Sequence, residues 1–525
     1  MKFSRRAYLK IIGSLIFWTG TAIAFASPKN VILFLVDDLG WADLGCYGST
    51  FYDTPNIDAL ATQGVRFTNA YATCHVCSPS RASILTGRYP ARIGLTDWIP
   101  GRREFDFQKL KNAPNLQALP LREITLAEAL KRHGYTTGHF GKWHLGEDGA
   151  GPLQQGFDLQ VPQNWFKGWP AAGYHAPFKL TGLSPESGAY LTDNLTTEAL
   201  KFIEDNSKKP FFLYLSHFAV HDPIQGRADL VDKYEKRRKN LETSTDPFIL
   251  EANPDRSPPL SQKNLERMQK TKPFSGFKVL PERTVKIKQR QDNARFAAMV
   301  EGVDESLGQI VSKLEKLELR EDTIIILTSD NGGMSGANFG NPRRVVSKAK
   351  LDAAYSTSNL PLRGAKGWLY EGGIRVPLII DWPGRGQNGT VADAPVIGTD
   401  LYPTILEMLD LPAMPKQHPD GKSLAKTLSK GGSPEARALY WHFPHYSNHG
   451  MQSPCGAIRL GRFKLIEYFE NGTVQLFDLE TDPREQVDLS RKQRGLAQQM
   501  LEKLRLWRAS VNAMMPAPKP QRSGE

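Results

Sequence analysis

Short apolar runs that stop abruptly at polar residues set the rhythm of this chain. Val31 to Val36 ends in Asp37-Asp38, and Phe211 to Leu215 leads to His217 and His221. Thr323 to Leu327 leads through Thr328-Ser329 into Asp330-Asn331, and Val376 to Ile380 ends in Asp381. Runs that are apolar on both faces predict buried strands. Helical patterns lie between them. Thr125-Leu126-Ala127-Glu128 reads as a capping box with Gly134 as the stop, and Asn293 to Leu314 predicts a longer helix. Strands alternating with helices predict an α/β fold with a large, mostly parallel sheet flanked by helices. In such sheets ligands bind beyond the carboxyl ends of the strands, where these Asp, Asn and His residues fall.

Two stretches break the rhythm. Arg227 to Arg290 has little apolar periodicity and holds sixteen basic and nine acidic residues. It reads as an insertion partly ordered over the surface. Beyond about Gly432, Ala438 to Phe443, Ala457 to Phe469 and Val474 to Leu479 read as antiparallel strands, joined by turns such as Asn471-Gly472. A closing helix is expected from about Arg494 to Val511. The expected organisation is a main domain over 27–432, interrupted at about 227–290, and a smaller C-terminal α+β domain over 433–525.

The first 26 residues read as a signal peptide. Lys2, Arg5, Arg6 and Lys10 precede a mostly apolar run, Ile11 to Phe25, and Ala24-Phe25-Ala26 suits cleavage before Ser27. Ser4-Arg5-Arg6-Ala7-Tyr8-Leu9-Lys10 resembles the twin-arginine export signal, which implies that folded protein is carried to a periplasmic or secreted address. Four cysteines in 525 residues are too few for a disulfide scaffold. Cys74 and Cys77 have C-x-x-C spacing, but no second such pair completes a zinc set. The formal charge of +12 favours anionic partners without choosing among nucleic acid, sulfated glycan and membrane.

The segment richest in chemistry is Cys77-Ser78-Pro79-Ser80-Arg81-Ala82-Ser83-Ile84-Leu85-Thr86-Gly87-Arg88. Pro79 suits a first helical turn with Ser78 as the cap, which sets Cys77 at a helix N-terminus where backbone N–H groups favour an anion. Arg81 lies one turn on, beside it. Asp37-Asp38 and Asp330-Asn331 offer hard oxygen ligands suited to Ca²⁺ or Mg²⁺.

Every fixed position of this segment matches C-x-P-S-R-x-x-x-L-T-G-R, so the chain resembles the formylglycine-dependent sulfatases, the arylsulfatase-like branch of the alkaline phosphatase superfamily. Gly141-Lys142-Trp143-His144-Leu145-Gly146, Ala219-Val220-His221-Asp222-Pro223 and Gly364-Ala365-Lys366-Gly367 extend the resemblance. It implies an alkaline phosphatase-like fold and oxidation of Cys77 to formylglycine by a formylglycine-generating enzyme. One hydroxyl of the aldehyde hydrate attacks sulfur and expels the alcohol; the second then loses a proton and the aldehyde re-forms as sulfate leaves. It also implies one Ca²⁺ per chain, held by Asp37, Asp38, Asp330 and Asn331 with residue 77. Arg81, Lys142 and Lys366 would bind sulfate oxygens, His144 would take the proton of the second hydroxyl, and His221 would protonate the leaving oxygen, with His217 an alternative. Asp330 is also the expected base for the attacking hydroxyl.

The expected substrate is a sulfated carbohydrate, with no nucleic acid partner and no stable membrane span. Alternatives are a phosphonate or phosphodiester hydrolase of the same superfamily and a catalytically silent protein that binds sulfated glycan. Two segments are candidates for sugar contact: Thr96 to Arg103, with Trp98, Arg102 and Arg103, and Trp441 to His449, with three histidines. The basic insertion, Arg227 to Arg290, with its run Lys236-Arg237-Arg238-Lys239, is expected to bind remote anionic groups of a polymer.

Overall fold

The computed structural model describes residues 29–520 apart from 106–107, 148, 185, 187, 242–246, 256–259, 271–283, 338–350, 433 and 450–451. The signal peptide expected over 1–26 lies outside the described residues.

A nine-stranded sheet forms the centre of the main domain. Its order is Thr390–Ala392, Val65–Tyr71, Arg375–Asp381, Thr323–Ser329, Asn30–Val36, Phe211–Ser216, Thr136–Gly141 and Leu159–Val161, with Val396–Ile397 also paired to Val65–Tyr71. Only Arg375–Asp381 runs antiparallel to its neighbours. Alternate residues of Asn30–Val36 enter two cores: Ile32, Phe34 and Val36 on one face, Val31, Leu33 and Leu35 on the other. Helices Pro55–Gln63, Leu191–Asp205 and Ala294–Lys316 cover the first face. Cys77–Thr86, Leu126–Lys131 and Leu401–Met408 cover the second. A strand buried on both faces must be apolar throughout, which is why these runs carry no alternation. Among the described residues no helix is long and apolar enough to cross a membrane.

The smaller domain is a four-stranded antiparallel sheet, Ala438–Phe443, Cys455–Leu460, Phe463–Tyr468 and Val474–Asp478, packed on helix Arg494–Ser510. The run Ala457 to Phe469, expected as one strand, is two. Gly461 adopts φ +57°, a left-handed conformation that lets the chain reverse. The capping box at Thr125 and Glu128 is present, and Asn293 caps the long helix.

The basic insertion is more ordered than its composition suggests. It forms helix Ala228–Arg238, helix Gln262–Lys270 and a two-stranded antiparallel sheet, Phe248–Ala252 with Thr284–Lys288. Arg237 forks onto Asp53, and Arg238 reaches Asp352. Half of the run expected to contact a polymer therefore fastens the helix to the main domain.

A buried ionic network joins the two domains. Lys464 of the small sheet lies 2.9 Å from Glu371 and 2.9 Å from Glu485, all three side chains 0% exposed. Despite burial, Lys464, Arg375 and Arg459 hold the Glu371 carboxyl down at about 2. Burial, with Glu371 nearby, pushes Glu485 up to about 7. Its folded value exceeds the ordinary 4.5, so its ionisation removes stability as pH rises through that window. Lys464→Met strands two buried carboxylates. Chemical denaturation at pH 8 should show a loss of about 3–5 kcal/mol, because breaking a buried pair leaves uncompensated charge. A loss below about 1 kcal/mol would show that water reaches the network.

Candidate active site

The polar ends of the parallel strands converge. Asp37 and Asp38 follow Asn30–Val36, Asp330 and Asn331 follow Thr323–Ser329, and Lys142 and His144 follow Thr136–Gly141. Asp38 and His144 sit at φ 61° and 58°, left-handed conformations uncommon outside glycine. Such conformations persist where surrounding contacts fix them. The Asp38 amide donates to Asp330 Oδ1, and the His144 amide donates to the Phe166 carbonyl.

Helix Cys77–Thr86 delivers the next group. It begins two residues earlier than expected. Val76 is the N-cap, with no side-chain capping bond, and Cys77 is the first helical residue. Ser78, expected as the cap, instead accepts the Ile99 amide through its Oγ. Cys77 still lies at the helix N-terminus, 2% exposed. Its Sγ is 3.4 Å from Lys366 Nζ and 3.6 Å from Asp37 Oδ1. Burial pushes the thiol up to about 12, against the pull of Lys142 and Lys366, so an unmodified Cys77 is a protonated and weak nucleophile.

Cations and carboxylates alternate around this point. Arg81 Nε donates to Asp330 Oδ2 at 2.8 Å, Lys142 Nζ lies 2.5 Å from Asp37 Oδ2, and Lys366 Nζ lies 2.7 Å from Asp38 Oδ1. Against burial, Asp38 holds Lys366 well above its ordinary value, so its ammonium stays charged. Ligand atoms of Asp37, Asp38, Cys77 and Asp330 all lie within 4.8 Å of one another. Asn331 Nδ2 donates to Asp38 Oδ1, while Asn331 Oδ1 is buried without a hydrogen-bond partner among the described residues. A buried orphan oxygen beside three carboxylates is the donor set of a hard divalent cation.

The histidines divide. His221 donates from Nδ1 to the Asp222 carbonyl, and its Nε2 lies 3.7 Å from Asp38 Oδ2. His217 is turned away: its Nε2 meets Ser306 Oγ and its ring packs on Phe34. His144 donates from Nε2 to the Ile99 carbonyl, leaving Nδ1 buried and without a partner among the described residues. Burial, with Lys142 and Arg81 nearby, holds His144 well below 6.5, so the ring is neutral and Nδ1 can accept a proton.

A cavity of about 90 Å³ opens over Cys77, His144, His221 and Lys366. Val76, Trp98, Gly168, Trp169, Asn448 and His449 complete its wall. Of the segments offered for sugar contact, Trp98, Asn448 and His449 reach it. Arg102 instead donates to the Ser447 carbonyl, His442 pairs with the Met514 carbonyl, and His445 meets Thr96 Oγ1. Trp169 and Gly168 were not singled out in the sequence. The aromatic cluster Trp165-Phe166-Lys167-Gly168-Trp169 was the available signal. Gly168 has no room for a side chain, since a Cβ there would stand 2.3 Å from His144 Cε1 and 2.5 Å from Nδ1. Gly168→Ala should lower kcat about 10- to 100-fold with a smaller change in KM, because the ring must move from its working position. Unchanged kcat in steady-state assays would show that the orientation of His144 does not limit turnover.

The sulfatase family model matches residues 29–411, and a second, described as N-sulphoglucosamine sulphohydrolase, C-terminal, matches residues 365–510. The chain belongs to the sulfatase family. This sulfatase is 29% identical to a sulfatase of Formosa agariphila over 92% of its own length and 89% of that protein. It is 29% identical to human N-acetylgalactosamine-6-sulfatase, covering 79% of this chain and 68% of that one. The structure of Ps i-CgsB in complex with k-i-k-neocarrahexaose superposes with a TM-score of 0.68 at 27% identity, over 92% of this chain and 93% of that one. The sulfatase is a sulfuric ester hydrolase.

Proposed function

We propose that this sulfatase hydrolyses a sulfate ester on a carbohydrate, with formylglycine formed from Cys77 and one Ca²⁺. The observation that carries the reading is Cys77 at a helix N-terminus between Lys366 and the Asp37, Asp38, Asp330 cluster. Asp37, Asp38, Asp330 and Asn331, with residue 77, would hold the cation. When bound, it neutralises the carboxylates and stabilises negative charge on a sulfate oxygen. Formylglycine supplies the hydroxyl nucleophile that the buried thiol does not.

The chain's own groups do the rest. Lys142, Lys366 and the Arg81 guanidinium surround the sulfate with fixed positive charge. Arg81 Nη2 lies 3.6 Å from Asp37 Oδ1, so the guanidinium is held against the carboxylate cluster. His221, 8% exposed on the cavity wall, is the candidate donor to the leaving oxygen when protonated. Asp330 is the candidate base for the attacking hydroxyl. Neutral His144 receives the second proton at Nδ1.

Carbohydrate as the substrate class draws support from the k-i-k-neocarrahexaose named with Ps i-CgsB and the N-acetylgalactosamine-6-sulfatase among the relatives. Maturation by a formylglycine-generating enzyme and export by the twin-arginine machinery follow from the Cys77 signature and the Ser4 to Lys10 pattern, giving a periplasmic or secreted address. A phosphonate monoester hydrolase of Agrobacterium radiobacter shares the fold at a TM-score of 0.60 and 21% identity. Sulfate esters, phosphodiesters and phosphonate monoesters assayed side by side separate the two chemistries. Sulfate release from a saccharide at the highest kcat/KM supports the proposal, and preferential phosphonate cleavage overturns it.

A further inference from the structure

We propose that Trp98, Trp169 and His449 form a subsite for the sugar ring that carries the sulfate, in which His449 and the Trp98 indole N–H hydrogen-bond a free ring hydroxyl neighbouring the ester. The proposal rests on the sulfatase reading and adds what the leaving group must present. His449 is 5% exposed, yet among the described residues neither ring nitrogen has a hydrogen-bond partner. Trp98 Nε1 is likewise buried and unpartnered there. Buried polar groups are rarely left unpaired. Both residues line the cavity that exposes Cys77, so a ligand reaching Cys77 can supply the missing partners.

The loop that carries His449 is pinned to the loop that carries Lys366. Ser447 Oγ donates to the His449 carbonyl at 2.6 Å, and that carbonyl packs where a Cβ on Gly367 would stand 2.1 Å away. The ring is therefore placed by the fold beside the sulfate-binding lysine. Trp169, 39% exposed, offers an aromatic face to the apolar face of a sugar.

A hydroxyl fits these groups better than a second sulfate does. A neutral imidazole both donates and accepts, as a hydroxyl does, and an indole only donates. Burial, with the Lys366 charge nearby, holds His449 well below 6.5, so it offers no charge to another anion. The subsite thus reads one neutral polyol ring, and the single ester it carries meets Lys142, Lys366 and Arg81.

The test compares the best substrate in a panel of galactose and N-acetylglucosamine monosulfates with its deoxy analogue lacking the neighbouring hydroxyl. The parent should prefer the hydroxylated sugar by about tenfold in kcat/KM or more, since the analogue leaves buried groups unpaired. In His449→Ala that ratio should fall towards one. Trp98→Phe keeps an aromatic face but removes the indole N–H together with the five-membered ring; it should lower the ratio several-fold, so it decides the matter if His449→Ala does not fold. A parent that turns over both sugars equally, or variants that keep the parent's ratio, would overturn the subsite while leaving the sulfatase reading intact. A parent inert on every sulfate ester would overturn both.

Discussion

Cys77→Ala will abolish sulfate-ester turnover, by at least about 10⁴-fold in kcat, and leave the fold intact. An unmodified thiol at residue 77 is held up at about 12, so at neutral pH almost none is thiolate. Lys142 and Lys366 pull it down without offsetting desolvation. A cysteine nucleophile needs the opposite setting. The same surroundings suit an uncharged hydrate whose proton leaves only as the bond to sulfur forms. Mass spectrometry of the peptide containing residue 77 should find a sulfur-free aldehyde in active enzyme. Cys77→Ser separates attack from release: a serine sulfate lacks the second hydroxyl, so the variant should trap sulfate on residue 77 or remain inert. The thermal midpoint of Cys77→Ala should stay close to the parent's, since one small side chain is removed. Unmodified cysteine in a fully active preparation would sink the mechanism.

How much of this was legible in the sequence depends on what set each feature. Asp37, Asp38, Asp330 and Asn331 were readable because they end apolar runs, and the strand ends of a parallel sheet must meet. Cys77, Arg81, Lys142, His144, His221 and Lys366 came from motif spacing, and their side chains do come together. The cap at Ser78 was misread because its Oγ is drawn to the Ile99 amide, a contact that local pattern does not encode. His217 and His221 sit four residues apart, and tertiary contacts, the hydrogen bond to Ser306 and packing on Phe34, hold one of them in the core. The cavity wall was the least legible part. Trp98, Gly168, Trp169 and His449 belong to three distant loops with no period between them, and no local rule says that they share a cavity. The basic run showed its charge but not the carboxylates that Arg237 and Arg238 would find.

Exhaustive chelation should remove activity, Ca²⁺ should restore it, and Ca²⁺ should also raise the thermal midpoint of the metal-free protein. Metal-free protein crowds Asp37, Asp38 and Asp330 together in the interior, and their protonation states follow their partners. Burial, with Asp330 beside it, lifts Asp37 to about 6, above its ordinary 3.8. The folded protein then keeps a proton that the unfolded chain releases, so this group removes stability as pH rises from about 4 to about 6. Against burial, Lys366 holds Asp38 down, and Arg81 does the same for Asp330. Those two groups contribute stability that is present above 3.8 and lost only as pH falls further. Calcium held by Asp37 would compete with its proton, because a ligand must be ionised to bind. Its stabilising effect should therefore be larger at pH 7 than at pH 5. At a hundredfold excess over its dissociation constant it should add about 2.7 kcal/mol. Asn331→Ala removes the orphan oxygen without touching a charge and should weaken Ca²⁺ binding in calorimetry. Full activity in protein shown by elemental analysis to be metal-free would count decisively against a cation at this site.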